Sequence, residues 1–183
     1  MKANKIIYNV DRDARTKSLK GLIPDIFSHS TVLYVGARTE RFDYGEEFMD
    51  SRYKITVLEV YKENVDYLKT IPWITEVIHG DVRWFTSDKK WDIVFWWHGP
   101  EHIHKKELPL TLKNLESMAN KAVVLGCPWG KYDQHALEGN PYEVHVSAYG
   151  FEDFINLEYS VDCIGKKDIP RLSNLTAVKY IKE

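Results

Sequence analysis

Thr31-Val-Leu-Tyr-Val-Gly-Ala-Arg-Thr39 decides how this chain reads. A short run rich in β-branched and aromatic residues ends on a glycine and then turns polar. Four runs of similar character come after it: Ile55-Thr-Val-Leu-Glu59, Ile74-Thr-Glu-Val-Ile78, Asp92-Ile-Val-Phe-Trp96 and Ala122-Val-Val-Leu-Gly126. They are nearly continuous apolar runs rather than strict alternations. That is the pattern of strands buried on both faces, as in a parallel sheet covered by helices. Helix-like segments separate them. Tyr44 to Ser51 is a short candidate. Lys62 to Thr70 carries Val65 and Leu68 three apart and is stopped by Pro72. Lys105 to Asn120 carries Leu108, Leu112, Leu115 and Ala119, with Pro109 in the first turns, where proline is best tolerated. Asp11 to Phe27 reads as a further helix on the sheet, ended near Pro24.

Past Gly126 the periodicity disappears. Cys127 to Gly150 is a long loop of Pro, Gly, Asn, aromatic residues and two His, and loops of that length usually serve function. Phe151 to Leu157 then reads as a helix, and Tyr159 to Ile164 and Asn174 to Ile181 as strands turning at Lys166 to Arg171. A connection so short makes that pair antiparallel, since a parallel pair needs a crossover of roughly a dozen residues or more. The organisation is five βα units and a terminal hairpin. This is an α/β fold: an open, mostly parallel seven-stranded sheet with helices on both faces and an antiparallel C-terminal strand.

At 183 residues the chain is expected to be one domain, with residues 1–30 as an N-terminal helical extension and 127–150 as a substrate-side loop. A composition of 44% hydrophobic and 28% charged residues excludes a disordered chain, a collagen-like chain and a coiled-coil rod. Lys plus Arg number 25 against 27 Asp plus Glu, so no basic excess supports non-specific nucleic-acid binding. The two cysteines, Cys127 and Cys163, stand at no metal-ligand spacing and are expected to be reduced, in the cytoplasm. Met1 to Lys20 shows no apolar signal region. The longest apolar runs, Ile93 to Trp97 and Ala122 to Leu125, fall far below the roughly 20 residues of a membrane span.

Ligands of open α/β sheets bind at the carboxyl ends of the strands, so the residues just after each strand carry the chemistry. Gly36 ends the first strand; it allows a tight βα turn or close approach of a ligand to the backbone. It opens no dinucleotide fingerprint, because Arg38 and Arg41 stand where further glycines belong, and no phosphate loop occurs in the chain. Glu59 ends the second strand, 23 residues beyond Gly36, the spacing at which an acid accepts both hydroxyls of a ribose; otherwise it is a solvated carboxylate. Asp81, in His79-Gly-Asp-Val-Arg83, either accepts from an adenine amino group or caps the next element of the chain. The densest chemistry is Trp96-Trp-His-Gly-Pro-Glu-His-Ile-His104: three His, one Glu and two Trp in nine residues. His98-Gly-Pro-Glu101-His102 also matches the inverted zincin pattern, but Gly99 and Pro100 resist the helix that a zinc protease needs there. In the long loop, Trp129, Tyr132 and Tyr142 read as a cover for a substrate, with His145 facing the cleft, or as ordinary surface. Cys127 reads as a packed thiol before a nucleophile.

In their order and spacing these residues resemble the class I S-adenosylmethionine-dependent methyltransferases, over about Thr31 to Ile181. Thr31-Val-Leu-Tyr-Val-Gly-Ala-Arg-Thr resembles the first motif, Val57-Leu-Glu-Val the acidic second strand end and His79-Gly-Asp-Val the adenine-side motif. Trp91-Asp-Ile-Val-Phe-Trp-Trp-His-Gly-Pro-Glu-His-Ile resembles the fourth-strand motif. Its Glu-His ending, with Asn140-Pro-Tyr-Glu-Val-His-Val-Ser and Phe151-Glu-Asp-Phe, is similar to the type 11-like branch. The resemblance implies a Rossmann-like sheet and S-adenosylmethionine as cofactor. Tyr34, Gly36, Ala37 and Arg38 would flank the methionine part. Glu59 would take the ribose, Val60, Asp81 and Val82 the adenine, and Trp97 and His98 the floor near the sulfonium. Departures stand at Tyr34, where the family has an acid, and at Arg38 and Glu40, where it often has glycine; Arg38 either pairs with the methionine carboxylate or fills the pocket. Some relatives with a Glu-x-x-Glu-His string hold a divalent metal; His98, Glu101 and His102 stand at those positions, though a metal is not expected.

The function this implies is methyl transfer to an oxygen or nitrogen nucleophile. An oxygen acceptor must lose a proton, and a His with an unperturbed pKa of roughly 6.5 suits that near neutrality, which makes His98, His102 and His145 the candidate bases. The acceptor is expected to be a small molecule or glycan-like compound rather than nucleic acid, and no membrane partner is expected. Two rivals stand beside this reading. One is a catalytically degenerate interaction domain with an altered first motif. The other is a nicotinamide oxidoreductase, against which the missing G-x-G-x-x-G and the antiparallel ending count.

Overall fold

The computed structural model describes residues 12–38, 53–169 and 172–182. The helix expected over 44–51 and the departure at Glu40 lie outside them. The strands are β1 (Thr31–Val35), β2 (Lys54–Glu59), β3 (Ile74–His79), β4 (Trp91–Trp97), β5 (Ala119–Cys127), β6 (Ser160–Gly165) and β7 (Ser173–Tyr180). The helices are α1 (Arg12–Leu22), α2 (Lys62–Leu68), α3 (Leu108–Ser117) and α4 (Phe151–Ile155).

The sheet runs β3-β2-β1-β4-β5-β7-β6. Neighbours from β3 to β5 pair in parallel, and β7 inserts between β5 and β6 antiparallel to both. The expected hairpin is therefore present, and it places β7 inside the sheet. Alternate residues of each central strand enter opposite layers, as period-two geometry requires. On one side Leu33, Val94, Trp96, Val123 and Leu125 meet Leu108, Leu112 and Leu115 of α3 and Phe154 of α4. On the other, Val32, Tyr34, Ile93, Phe95 and Trp97 meet Leu19 of α1 and Leu68 of α2.

Polar ties at the lower ends of the strands set the register. The Asp92 carboxylate accepts from Ser30 and Thr31 N–H and from the Ser30 hydroxyl, while Asp92 N–H donates to Thr31 Oγ1 at 2.8 Å. The buried Trp91 indole N–H donates to Thr56 Oγ1 at 3.0 Å, tying β4 to β2 across β1. Buried indoles usually find such a partner.

Several boundaries differ from the sequence expectation. The helix expected over 11–27 is α1, and a separate 3-10 turn, Ile26–Ser28, comes after it. Proline fixes its own φ and disfavours helical backbone in the residue before it, so Pro24 separates the two. The long helix expected over 105–120 is α3, with Pro109 in its first turn; β5 begins at Ala119, three residues earlier than its apolar run. Among the described residues, none between β3 and β4 is helical, so that link is not a βα unit. Instead Trp84 and Phe85 N–H turn back onto the Asp81 carbonyl, at 3.0 and 2.9 Å.

Candidate functional site

The order of the sheet reverses between β1 and β4, and there the carboxyl ends open into a cleft of ≈ 1050 Å³. Gly36, Glu59, Asp81, His98, Glu101 and His145 all line it.

Its first half is made by β1, β2 and β3. Gly36 leaves β1 at φ +75, a left-handed conformation natural to glycine, and donates its N–H to Leu58 O at 2.9 Å. That bond, continuing the Val35–Leu58 register, sets Gly36 beside Glu59. A Cβ on Gly36 would meet no described atom within 4 Å, so no described residue crowds the backbone there. Glu59 is buried, and its Oε1 accepts the Tyr61 N–H at 2.8 Å and Asn64 Nδ2 at 3.4 Å. Burial pushes its pKa up to about 7, against those hydrogen bonds, and the negative charge of Glu143 adds to the rise. Asp81 is gripped by Arg83 through Nε at 3.0 and 3.1 Å, Nη2 at 2.6 Å and the backbone N–H at 2.9 Å. Burial works against the anion, yet the guanidinium fork holds Asp81 below the usual carboxylate range.

Tyr34 is buried, its ring 5.2 Å from Phe95. Ala37 is buried with α1. Val82 packs beneath the cleft, and the Val60 carbonyl accepts from His79 Nε2 at 3.0 Å. Arg38 does not fill the hollow. It reaches across its mouth, with Nε 3.3 Å from Glu143 Oε1 and Nη2 3.5 Å from Glu138 Oε2.

The second half is made by the end of β4 and the returning loop. Trp97 is buried, stacked on Phe95 at 5.5 Å, and its indole lies over Gly126, where a Cβ would come within 2.4 Å of the ring. His98 is next in the chain at φ 50, with its N–H on Gly126 O at 2.8 Å. A non-glycine residue in this region is strained, and such strain gathers at functional sites. Gly99 lets the Trp96 indole fold against the turn, since a Cβ there would lie 1.7 Å from its Nε1. Pro100–His102 is a single 3-10 turn, and it buries Glu101. A metalloprotease helix is thereby absent at this position.

Three imidazoles surround Glu101. His98 Nδ1 lies 3.4 Å from Oε1 and His145 Nε2 4.0 Å from it. The His145 ring meets that of His102 edge-on at 4.9 Å. Burial alone would raise the Glu101 pKa, but the His98 hydrogen bond and the neighbouring imidazoles hold it below its ordinary value. The loop comes back because the Glu101 carbonyl accepts both Val146 and Ser147 N–H, at 2.9 and 3.1 Å. The sequence named His98, Glu101 and His102 as a possible ligand set; among the described residues, the set whose ligand atoms all lie within 4.8 Å of one another is Glu101, His102 and His145. Of the expected cover residues, Tyr132 and Tyr142 line the cleft, whereas Trp129 packs on the core. Cys127 is fully buried and burial pushes its thiol well up, so it is the packed thiol expected. Glu143 is the residue that sequence reasoning missed; nothing in its local sequence marks it as a partner of Arg38.

No protein-family model matches the sequence, and no curated protein matches it. Solved structures do. The chain is similar to DhpI in complex with SAH, with TM-score 0.66 and 12% identity over 93% of this chain and 86% of that one. It is similar to the N-methyltransferase NodS from Bradyrhizobium japonicum WM9, with TM-score 0.63 and 14% identity over 94% and 96%. It is similar to the magnesium protoporphyrin IX methyltransferase ChlM from Synechocystis PCC 6803 with bound SAM, with TM-score 0.62 and 10% identity over 93% and 79%. The fold is that of the class I S-adenosylmethionine-dependent methyltransferases. No helix among the described residues is long and apolar enough to cross a membrane.

Proposed function

We propose that the protein transfers a methyl group from S-adenosylmethionine to an oxygen or nitrogen nucleophile of a small-molecule or glycan-like acceptor, in the cytoplasm. The observation that carries this is the pairing of Gly36 and Glu59 at the reversal point, in front of a hollow that no described residue fills. The residues fit the donor. Gly36 offers backbone without a side chain, as a close-lying methionine part requires, and Glu59 offers a buried carboxylate to two ribose hydroxyls. Asp81 lines the adenine side with Val60 and Val82, and its carboxylate is held by Arg83. Tyr34, Ala37 and Trp97 form the packed floor under the hollow. Arg38 pairs with the loop and Tyr34 is packed on Phe95, so neither of these two departures fills the hollow, which supports an enzyme over a degenerate domain.

The bound donor supplies a methyl carbon activated by positive sulfur; as the acceptor's oxygen or nitrogen bonds to that carbon, the carbon–sulfur electron pair returns to sulfur. The chain's main contribution is alignment, a proximity effect worth several kcal/mol. For a hydroxyl acceptor, His98 takes the proton. It stands at the end of β4 with its side chain partly exposed to the cleft, and Glu101 orients it through Nδ1. A buried carboxylate behind an imidazole fixes its tautomer and stabilises the imidazolium that forms. His102 and His145 stand behind Glu101 as further proton-handling groups.

Titration calorimetry and thermal melting with S-adenosylhomocysteine test the proposal. A saturable heat and a rise in melting temperature are expected, because a ligand that binds only the native state must stabilise it. No heat and no shift at saturating ligand would overturn it.

A further inference from the structure

The groups behind His98 present hydrogen-bond acceptors toward one another. Glu101 is 2% exposed, yet its Oε2 has no hydrogen-bond partner among the described residues. A buried carboxylate oxygen left in that state costs free energy, and native structures rarely keep one without a reason. His102 Nδ1 lies 3.2 Å from Val144 O and His145 Nδ1 lies 2.7 Å from Tyr132 O. A carbonyl only accepts, so both Nδ1 atoms carry the proton, and in the neutral rings both Nε2 atoms are acceptors. For His145 that acceptor stands 4.0 Å from Glu101 Oε1. Such a set is complementary to a group that carries several donors and a positive charge.

We infer that the methyl acceptor carries a primary ammonium group, held by Glu101, His102 and His145. This rests on the methyl-transfer reading and narrows its acceptor to amines that bear a second nucleophile, such as amino sugars and amino alcohols. One oxygen or nitrogen of each of the three residues lies within 4.8 Å of the others. Three acceptors placed tetrahedrally about an ammonium nitrogen, each at a hydrogen bond of about 2.9 Å, stand ~4.7 Å apart. The set therefore fits around the three N–H donors of that group. All three residues line the cleft, and the cleft has the matching sign. Among the described residues that line it, carboxylates outnumber guanidinium groups seven to three, with no lysine. Arg83 is shared between Asp81 and Glu107, and Arg38 between Glu138 and Glu143, so both are neutralised from within the lining. A field of that sign draws in cations and disfavours carboxylate and phosphate compounds. An ammonium has no lone pair, so held here it is a handle. The atom that attacks the methyl carbon is a hydroxyl or second nitrogen of the same molecule, on the side of His98, whose imidazole is partly exposed to the cleft.

The test uses the full chain with S-adenosylhomocysteine, whose own binding is measured first and decides the methyl-transfer reading separately. Glucosamine is then titrated beside glucose, and benzylamine beside benzyl alcohol and benzyltrimethylammonium, near neutral pH and read by calorimetry. Each primary amine is expected to bind roughly 10–100-fold more tightly than its uncharged partner, the usual worth of hydrogen bonds to a charged group. Benzyltrimethylammonium, a cation with no N–H, is expected to bind at least about tenfold more weakly than benzylamine. The amine preference is expected to disappear in Glu101→Gln, which keeps the shape and removes the charge, and to fall in His145→Phe. Melting curves identify any variant that fails to fold, and the comparison of probes on the parent chain needs no variant. Amines that bind no better than their uncharged partners, on a chain that takes S-adenosylhomocysteine, overturn the inference and leave the methyl-transfer reading standing. Equal binding of benzyltrimethylammonium overturns it too, because charge without N–H donors would then suffice. So does an amine preference that survives in folded Glu101→Gln, which would place the ammonium elsewhere.

Discussion

The two halves of the cleft are built by different means. In the donor half, Gly36, Glu59 and Asp81 each sit within two residues of a strand's end, and ladder geometry alone brings them together: Gly36 N–H continues the β1–β2 register and Gly80 N–H continues β2–β3 at 3.0 Å from Glu59 O. In the histidine half, the turn after β4 supplies His98, Glu101 and His102, but His145 arrives on a loop that closes back across 42 positions, between His102 and Val144. The first half is rigid because the sheet is rigid. The second depends on hydrogen bonds that return the loop, from Val146 and Ser147 N–H to the Glu101 carbonyl and from Ser147 Oγ to Ile103 O. Proton handling and donor binding should therefore separate under mutation.

The largest separation is expected at His98. Replacing it in His98→Asn should lower transfer to a hydroxyl acceptor by roughly 10²–10⁴-fold, the usual worth of a general base. Affinity for S-adenosylhomocysteine should change by no more than about twofold, since only the transition-state interaction is lost. Rates with radiolabelled donor and calorimetry on the same preparation compare the two; an equal loss in both would show that the halves are one unit.

The converse change is Glu59→Ala. Hydrogen bonds to a charged group contribute about 1.5–3 kcal/mol, so S-adenosylhomocysteine should bind roughly 10–100-fold more weakly.

The Glu59 carboxyl also makes donor binding depend on pH. Burial puts its pKa at about 7, above the ordinary carboxylate value. Ribose hydroxyls donate to the anion, so the ligand favours the ionised form. Affinity should rise up to about tenfold per pH unit below 7 and level off above it, with proton release on binding near pH 6.5. Calorimetry in two buffers of different ionisation enthalpy measures that release, and Glu59→Gln should abolish it. In the unliganded protein the sign is opposite. A raised native pKa means stability that is present below the ordinary carboxylate range and lost as pH rises through about 7. A melting temperature of the free protein that is flat across this window would show Glu59 to be solvated.

The same contrast explains what the sequence disclosed. Strands buried on both faces announce themselves locally through runs such as Val32 to Val35, and their ends, Gly36 and Glu59, are located by the rule that sheets bind at carboxyl ends. The terminal antiparallel pair was legible from loop length alone, because six or seven residues cannot make a crossover. Two features were out of reach. The missing helix between β3 and β4 depends on Asp81 turning Trp84 and Phe85 back, a local hydrogen-bond choice that no hydrophobic period encodes. The pairing of Arg38 with Glu143 joins residues with no sequence relation, and a surface-to-loop ion pair leaves no pattern in composition. The metal candidates show the boundary: the string from His98 to His102 was visible, but exchanging His98 for His145 needs the loop's path.

That loop contact is also where the smallest effect is expected. Arg38 is partly exposed, its partner Glu138 is exposed and Glu143 is half-buried, and partly exposed ion pairs of this kind contribute about 0–1 kcal/mol each. Arg38→Ala should therefore leave the melting temperature nearly unchanged and shift S-adenosylhomocysteine affinity by less than about fivefold. Its trace should appear instead in the backbone of the loop. Arg38 is the charged tie from the end of β1 to the segment around Glu143, which Gln134 Nε2 on Glu143 O at 2.8 Å and His145 N–H on Gln134 O at 3.1 Å hold within the loop, and the Glu101 carbonyl and His102 Nδ1 hold from outside it. Releasing the tie should speed amide hydrogen exchange across residues 134–146 while the β4 and β5 amides stay protected, since local opening draws on few buried contacts. Glu143→Gln should speed the same amides, and the double variant should add nothing further if the two side chains act as one contact. An additive double variant would mean that Arg38 holds the loop through Glu138 alone, and that the two halves of the cleft are less coupled than their shared ion pair implies.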